Sequence, residues 1–285
     1  MLILLPPSEG KTPARRGRPL DLSALSFPEL NPLREFVIDA VAAVSAQPGA
    51  TEVLGVSAGL VDQVLRNVDL RTTPAAAAAH VYSGVLYQAL DHATLDTASK
   101  RRANRSIVVI SAMFGALRLT DRVPAYRVHV CARVPGVGVL DREWRGVLAG
   151  ALDAVVKPRE LLVDCRSTTY AAMWRPTAER AERWVHVTVP GASHNAKHTR
   201  GLVTRELVQA EAPRTPSAMA ERLSVRFDVE LEAPPREGRP WTLAVREQPS
   251  HTIDVGGPLV ANPAVAATGR DLPRPGRADV QVAAP

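Results

Sequence analysis

"SIVVISAMFGALR", residues 106–118, is the stretch whose reading decides the fold. Its apolar run, Ile107 to Ile110, reads as a fully buried strand that runs into a glycine-containing turn, the place where open α/β sheets carry functional groups. The form recurs in "ELLVDCRS", residues 160–167. Between the two, Trp144, Val147, Leu148, Ala151, Leu152 and Val155 share one helical stripe, so strand, helix and strand follow in order. That succession predicts an α/β (α+β) domain with a central mixed β-sheet flanked by helices.

Working outward, Met1 to Leu5 is a short apolar run stopped by Pro6 and Pro7, a buried first strand that opens into a loop carrying Ser8, Glu9, Gly10 and Lys11. Helical spacing runs from Leu33 to Val44, ended by Pro48 and Gly49, and a second helix is expected from Ala58 to Val68. The alanines at 75–79 are helix-permissive. "RWVHVTV", residues 183–189, is a further strand. Leu223, Val225, Phe227, Val229 and Leu231 alternate with polar neighbours as a strand with one wet face, and "APPREGRP" then forms a hairpin-like link to a last strand, Trp241 to Arg246. From Gln248 onward proline, glycine and alanine follow no period, so the expectation is one domain over 1–247 and a disordered tail over 248–285.

The chain has 285 residues, 46% hydrophobic and 22% charged, with a net charge of +6, which favours phosphates, nucleic acid or other anionic partners. Arginine-rich, lysine-poor usage also follows from genome composition, so charge must be located before it is used. Cys131 and Cys165 have no metal-ligand spacing and read as small core residues in a reducing cytosol. The first apolar run is too short for a secretory leader or a membrane span, so a cytoplasmic protein without membrane attachment is expected. No cofactor motif and no metal ligand set is read.

"SHNAKHTRG", residues 193–201, puts a lysine between two histidines in a chain whose cations are nearly all arginine. A helix from Ser193 through Ala210 gathers His194, Lys197, His198, Gly201 and Arg205 on one side, with Arg200 flanking, and Val203, Leu207 and Ala210 on the other. A solvated face is the plain alternative, but an exposed helix gains nothing from glycine, and a block of cations near a helix N-terminus opposes the macrodipole. An anionic ligand removes both objections. "DCRSTTY", residues 164–170, brings Asp164, Arg166, Ser167 and Tyr170 to a strand's carboxyl end. "FGALRLTDRVPAYR", residues 114–127, gathers Arg118, Asp121, Arg122, Tyr126 and Arg127; arginines beside a tyrosine suit phosphate and base contact, and a structural Arg118–Asp121 pair is the alternative. "HVYSGVLY" adds Tyr82, Ser83 and Gly84, which line a pocket or form a turn. In "LGVSAG", residues 54–59, Gly55 and Ser57 sit in a tight turn between two expected helices, where N–H groups can point at a phosphate. "VPGVG", residues 134–138, follows a strand-like alternation and reads as a loop.

The order of these blocks, from "MLILLPPSEGKT" through "VYSGVLYQAL", "SAMFGALRLTDRVPAYRVHV" and "LLVDCRSTTYAAMW" to "SHNAKHTRGLVTRELV", resembles the YaaA family of peroxide-stress proteins, also called DUF328 or UPF0246. The resemblance implies a cytoplasmic protein that limits oxidative damage, DNA binding, and a helix-hairpin-helix element within an unusual α/β fold. By position, Lys11 matches the family's lysine after the first strand, Arg118, Tyr126 and Arg127 its "LRP…PYR" stretch, and Lys197, Arg200 and Gly201 its "AK..RG" block. Leu119 stands where that stretch usually has proline.

Two functions are therefore expected, beside the plain alternative of a structural or interaction protein whose polar blocks merely cap strands. The first is a DNA-binding protective protein of weak sequence specificity, with Arg118, Arg122, Arg127, Lys197 and Arg200 on phosphates and the Gly55 turn supplying backbone donors. The second is an enzyme acting on a nucleobase, nucleoside or other anionic small molecule, with Lys197 as nucleophile or acid, Asp164 as base and the arginines as anion clamp. Lysine suits the second role because burial among cations lowers its pKa, which arginine cannot imitate. The two part on whether Lys11, Tyr82, Arg118, Asp164, Arg166 and Lys197 meet in one concave site.

Overall fold

The structure, a computed structural model, describes residues 1–191 and 193–248, with the backbone alone at Ser193 and His194. The first half comprises β1 (Leu2–Leu5), α1 (Asn31–Ser45), α2 (Ala50–Val53), α3 (Val61–Leu65), β2 (Ala76–Ala77), α4 (Ala78–Val81), α5 (Val85–Leu90) and α6 (Thr97–Ser106). The decisive stretch then supplies β3 (Ile107–Ser111) and β4 (Gly115–Arg118), followed by β5 (Arg122–Val123), β6 (Arg133–Val134), β7 (Gly138–Val139) and α7 (Leu140–Val155). The rest is β8 (Leu162–Asp164), α8 (Thr168–Ala171), β9 (Trp184–Thr188), α9 (Ser193–Gln209), α10 (Pro216–Leu223), β10 (Phe227–Glu232) and β11 (Trp241–Glu247).

Seven strands form one mixed sheet in the order β10-β11-β9-β8-β1-β3-β4. The five central strands are parallel, and β10 and β4 close the two edges antiparallel. Every residue of β1 and of β3 is buried, as strands covered on both faces require. This is the mixed α/β sheet that the apolar runs imply.

The decisive stretch itself is a hairpin: β3 turns back directly as β4, with Ser111 opposite Gly115 and Val108 opposite Arg118. Gly115 makes the turn possible, since its φ is +71° and a Cβ there would lie 2.6 Å from the Trp144 ring. Arg34 of α1 is wholly buried and seals the hairpin, donating to the Phe114 and Ala116 carbonyls at 2.9 and 2.7 Å. Trp144 of α7 donates its indole N–H to Ala112 O at 2.8 Å. Helix α9 packs on α5, α6 and α10 and reaches β11.

Several expectations are corrected. The strand expected from Leu223 begins at Phe227, because Leu223 ends α10 and Val225 is 79% exposed. The helix expected over 58–68 is a short α3 between 3₁₀ turns, and the alanine run divides between β2 and α4. Cys165 is buried as read, but Cys131 is exposed. "VPGVG" is the β6–β7 hairpin loop. The first unit ends at Gln248, so the expected tail lies outside the described residues.

Candidate functional site

Strand β1 lies between β3, the next strand of this sheet along the chain, and β8. Their carboxyl ends open on one edge, at the point where strand order reverses and open α/β sheets bind ligands. Residues 6–11 leave β1 there and are fastened to residues 81–87. Ser8 Oγ accepts from Gly84 N at 2.7 Å, Gly10 O accepts from Ser83 N at 3.1 Å, and Pro6 O accepts from the Tyr87 hydroxyl at 2.8 Å. Lys11 and Tyr82 form an antiparallel bridge, and Thr12 N donates to Val81 O at 2.8 Å.

This fastening drives the Lys11 side chain inward. Its Nζ stands 4.1 Å from the centre of the Tyr126 ring and 5.7 Å from that of Tyr82, donating to Ser8 O at 2.5 Å. Among the described residues it has no ion-pair partner within 4 Å. Burial, reinforced by the Arg127 guanidinium and opposed by Glu9, pulls the Lys11 amine down to about 7.

Beneath it runs a chain of hydroxyls. Ser111 Oγ accepts from Met113 N and Phe114 N at 3.2 and 3.1 Å, which occupies its lone pairs and directs its own proton to Tyr126 Oη, 2.7 Å away. Tyr126 Oη is in turn 3.1 Å from Tyr82 Oη. Burial raises the Tyr126 phenol to about 12 and those of Tyr82, Tyr87 and Tyr170 well above the ordinary value, so all four hold their protons. The chain has only four tyrosines, and the other three all lie within electrostatic reach of Tyr126.

Above the amine, cations share a single carboxylate. Lys197 Nζ donates to Glu9 Oε1 at 3.0 Å, Arg127 donates to Glu9 O at 2.8 Å, and its other nitrogen stands 3.9 Å from Glu9 Oε2. The Lys197 hydrogen bond leads in holding the Glu9 carboxyl below the usual range. Asn67, wholly buried, fixes the Arg127 backbone by accepting from its N at 2.8 Å and donating to its O at 2.7 Å. The Glu9 side chain is 72% exposed and lies between the Arg127 and Lys197 cations.

A family model described as peroxide stress protein YaaA matches residues 1–227. The chain belongs to the YaaA peroxide-stress family. A UPF0246 protein of Streptomyces coelicolor is 44% identical over 255 residues, covering 86% of this chain and 98% of that relative. One from Corynebacterium efficiens is 36% identical over 253 residues, 86% of this chain and 99% of that relative. One from Corynebacterium glutamicum is 34% identical over 219 residues, 74% and 86%.

Within this YaaA-family chain Lys11, Tyr82, Ser83, Tyr126, Arg127 and Lys197 come together, and other expected site residues do not. Lys197 is not the buried amine; its side chain is 47% exposed, and the lysine turned inward is Lys11. Asp164 is not a free base. It is wholly buried and gripped by Arg166 at 2.8 and 2.7 Å, while Arg166 also donates to Trp174 O at 2.9 Å and so is no anion clamp. The guanidinium holds the Asp164 carboxyl below its ordinary range although burial pushes the other way. Ser167 lies at the N-cap of α8, exposed and without a side-chain capping bond.

Arg118 sits opposite Val108, toward the amino end of β3, and donates to Arg105 O at 2.6 Å, because the β3–β4 hairpin carries it away from the carboxyl edge. Arg122 donates to Ala75 O at 2.6 Å beside the β2–β5 pair. Arg200 donates to Val187 O at 3.2 Å, at β9. Gly201 admits a close neighbour, but the neighbour is α5: a Cβ would lie 2.2 Å from Leu86 O. Arg205 caps that same helix through the Leu90 and Asp91 carbonyls, both at 2.9 Å. The side chain of His194 lies outside the described residues. Gly55, with φ +64°, and Ser57 lie between α2 and α3, where Leu54 O accepts from His129 N at 2.9 Å. No His/Cys/Asp/Glu group among the described residues could hold a metal ion, and none of the described helices is long and apolar enough to cross a membrane.

Sequence reasoning missed Ser8, Glu9, Asn67, Tyr87 and Ser111 as parts of the site. The available signal was tyrosine scarcity, with two of the four in "VYSGVLY".

Proposed function

We propose that this YaaA-family chain serves the peroxide-stress response by taking a small phosphate- or carboxylate-bearing molecule into the cradle at the end of β1 and performing amine or acid–base chemistry on it. One observation carries the reading: a lysine amine seated on tyrosine rings, a hydroxyl chain below it and two cations above it meet over the Ser8–Lys11 loop. An amine that titrates near neutrality can take up or give up a proton, and phenols that stay protonated can donate one. Arg127 and Lys197 receive the anionic group as it displaces the Glu9 carboxylate.

The test is calorimetric titration with inorganic phosphate and with pyruvate. Glu9→Gln should tighten binding several-fold by removing the internal competitor, and Arg127→Ala should weaken it about tenfold, the scale of a lost charged hydrogen bond. Unchanged affinity in both variants would overturn the reading.

Duplex DNA is the second reading, favoured by one connection. The Gly55 turn is tied to His129 through Leu54 O, and Asn67, just beyond α3, holds the Arg127 backbone, so the turn and the cradle's arginine belong to one hydrogen-bonded piece. Phosphates laid along that piece would make affinity fall steeply with salt. Arg127→Ala should then reduce the slope of log affinity against log salt by about one, the share of one phosphate contact. A slope that ignores both Arg127→Ala and Lys197→Ala would remove this reading.

A further inference from the structure

The amine at position 11 is built for more than charge. Only four of the chain's 35 basic residues are lysine, at 11, 100, 157 and 197, so a cation seated by chance would be arginine. Arginine could not shed its proton there; lysine can. The Lys11 Nζ faces a π surface 4.1 Å away and one carbonyl, that of Ser8, while the nearest carboxylate is already engaged by Lys197 and Arg127. The hydroxyl chain from Ser111 delivers its polarity toward Tyr82, whose ring lies beside the same amine.

We propose that Lys11 is an imine-forming nucleophile, and that the substrate is a small molecule carrying a carbonyl close to an anionic group. The inference rests on the proposed anion site for the second anchor: the anionic group sits on Arg127 and Lys197 and the carbonyl reaches Nζ. The lone pair of Nζ adds to the carbonyl carbon, forming the C–N bond, while the carbonyl oxygen takes up a proton from the Tyr82 end of the relay. The carbinolamine hydroxyl then leaves as water, breaking the C–O bond, and the nitrogen gives up its remaining protons to the relay and the departing water. The product is a C=N bond with no net oxidation or reduction. Carbonyl-bearing carboxylates and carbonyl-bearing phosphates share this chemistry, and the experiment separates them.

The full chain is incubated with pyruvate, glycolaldehyde phosphate or neutral glycolaldehyde, reduced with borohydride, and its four lysines are mapped by peptide mass. The expected result is a single reduced adduct on Lys11, formed at least tenfold faster than on Lys100 or Lys157. Its rate should plateau just above neutral pH. The better of the two anionic probes names the substrate's acidic group. Tyr82→Phe should slow labelling while leaving it on Lys11, and Lys11→Arg should abolish it. Labelling spread over the lysines by exposure, or a Lys11 rate that rises only near pH 10, would overturn the proposal. Calorimetric binding of phosphate without any adduct on Lys11 would also overturn it while leaving the anion site standing. An adduct on Lys11 from all three probes at one rate, indifferent to Arg127→Ala, would support the nucleophile and remove the anion site.

Discussion

Two charges stand at the same edge of the sheet, Asp164 at the last position of β8 and wholly buried, Lys11 in the loop beyond β1 and half-buried, and they are handled in opposite ways. Asp164, opposite Leu4, meets Arg166 in a fully buried pair whose remaining donors find carbonyls and whose acceptors also take the Trp184 indole N–H at 3.3 Å. Lys11 has an aromatic surface and one carbonyl. A charge whose partners are complete is held ionised and becomes part of the frame. One whose partners are withheld is pushed toward neutrality, and that makes it chemically available. On this contrast Asp164–Arg166 belongs to the frame, and the proposed chemistry falls to Lys11.

The largest effect should come from breaking the frame. Asp164→Ala leaves a guanidinium buried without its carboxylate and should destabilise the chain by about 3–5 kcal/mol, read from denaturant unfolding. The native carboxyl titrates below its ordinary 3.8, so its contribution is present above that pH and disappears as pH falls through the lowered native value. A loss under about 1 kcal/mol would mean that Asp164 is a site residue after all and would dissolve the contrast.

Next in size is the seam between α9 and α5. Gly201→Ala forces a methyl group against Leu86 O and should cost about 1–3 kcal/mol, the range for overpacking. If Gly201 instead faced a ligand, the variant would fold with wild-type stability and fail only in binding.

That seam explains what could be read in the sequence and what could not. The buried strands at 107–110 and 162–164 and the α7 stripe were legible because burial on two faces or one leaves a period in the residues themselves. Helix α9 was legible as a helix, and its glycine as a point of close approach, but a helical wheel has no information about which neighbour approaches. Arg118 was misplaced for a related reason: the glycine-containing turn after the buried strand was legible, but not that residues 115–118 pair back along β3 and carry the arginine to its amino end. That Lys11 and not Lys197 is turned inward had another origin. Both lysines follow polar, loop-forming stretches, and only the bridge between Lys11 and Tyr82 decides which of them is turned inward. Asp164 beside Arg166 could be seen as two polar residues at a strand end, but side chains two apart on an extended segment close on each other only when nothing else competes for them.

The Lys11 side of the comparison has its own pH signature. The unfolded chain keeps a proton on this amine up to an ordinary 10.5, whereas the folded chain sheds it near 7. Between those values the unfolded state binds more protons, so stability rises with pH. We expect a gain of about 1–2 kcal/mol from pH 7 to pH 9, below the ~1.4 kcal/mol per unit of a complete difference because the amine is only partly removed from water. Above about 10 the buried phenols reverse the trend, since they stay protonated in the fold while unfolded tyrosines ionise. Lys11→Met should flatten the rise between 7 and 9 in urea titrations. A rise that persists in the variant would locate the shifted group elsewhere.

The smallest effect sharpens the contrast most. Lys197 and Glu9 form an exposed pair, with side chains 47% and 72% open to solvent, and such pairs contribute under about 1 kcal/mol. Lys197→Ala should therefore leave unfolding almost unchanged while the Glu9 carboxyl, having lost the hydrogen bond that chiefly lowers it, titrates at higher pH. Proton NMR of the Glu9 side chain against pH reads that shift directly. With Lys197 gone, Glu9 turns more fully to Arg127, so phosphate should meet a stronger internal competitor and bind more weakly in a variant whose stability is intact. A residue that carries binding without carrying the fold behaves this way, and Asp164, at the end of β8 directly beside β1, should behave in the reverse manner. If Lys197→Ala instead lowers stability as Asp164→Ala does, the cradle is frame as well, and the distinction between withheld and completed partners loses its force.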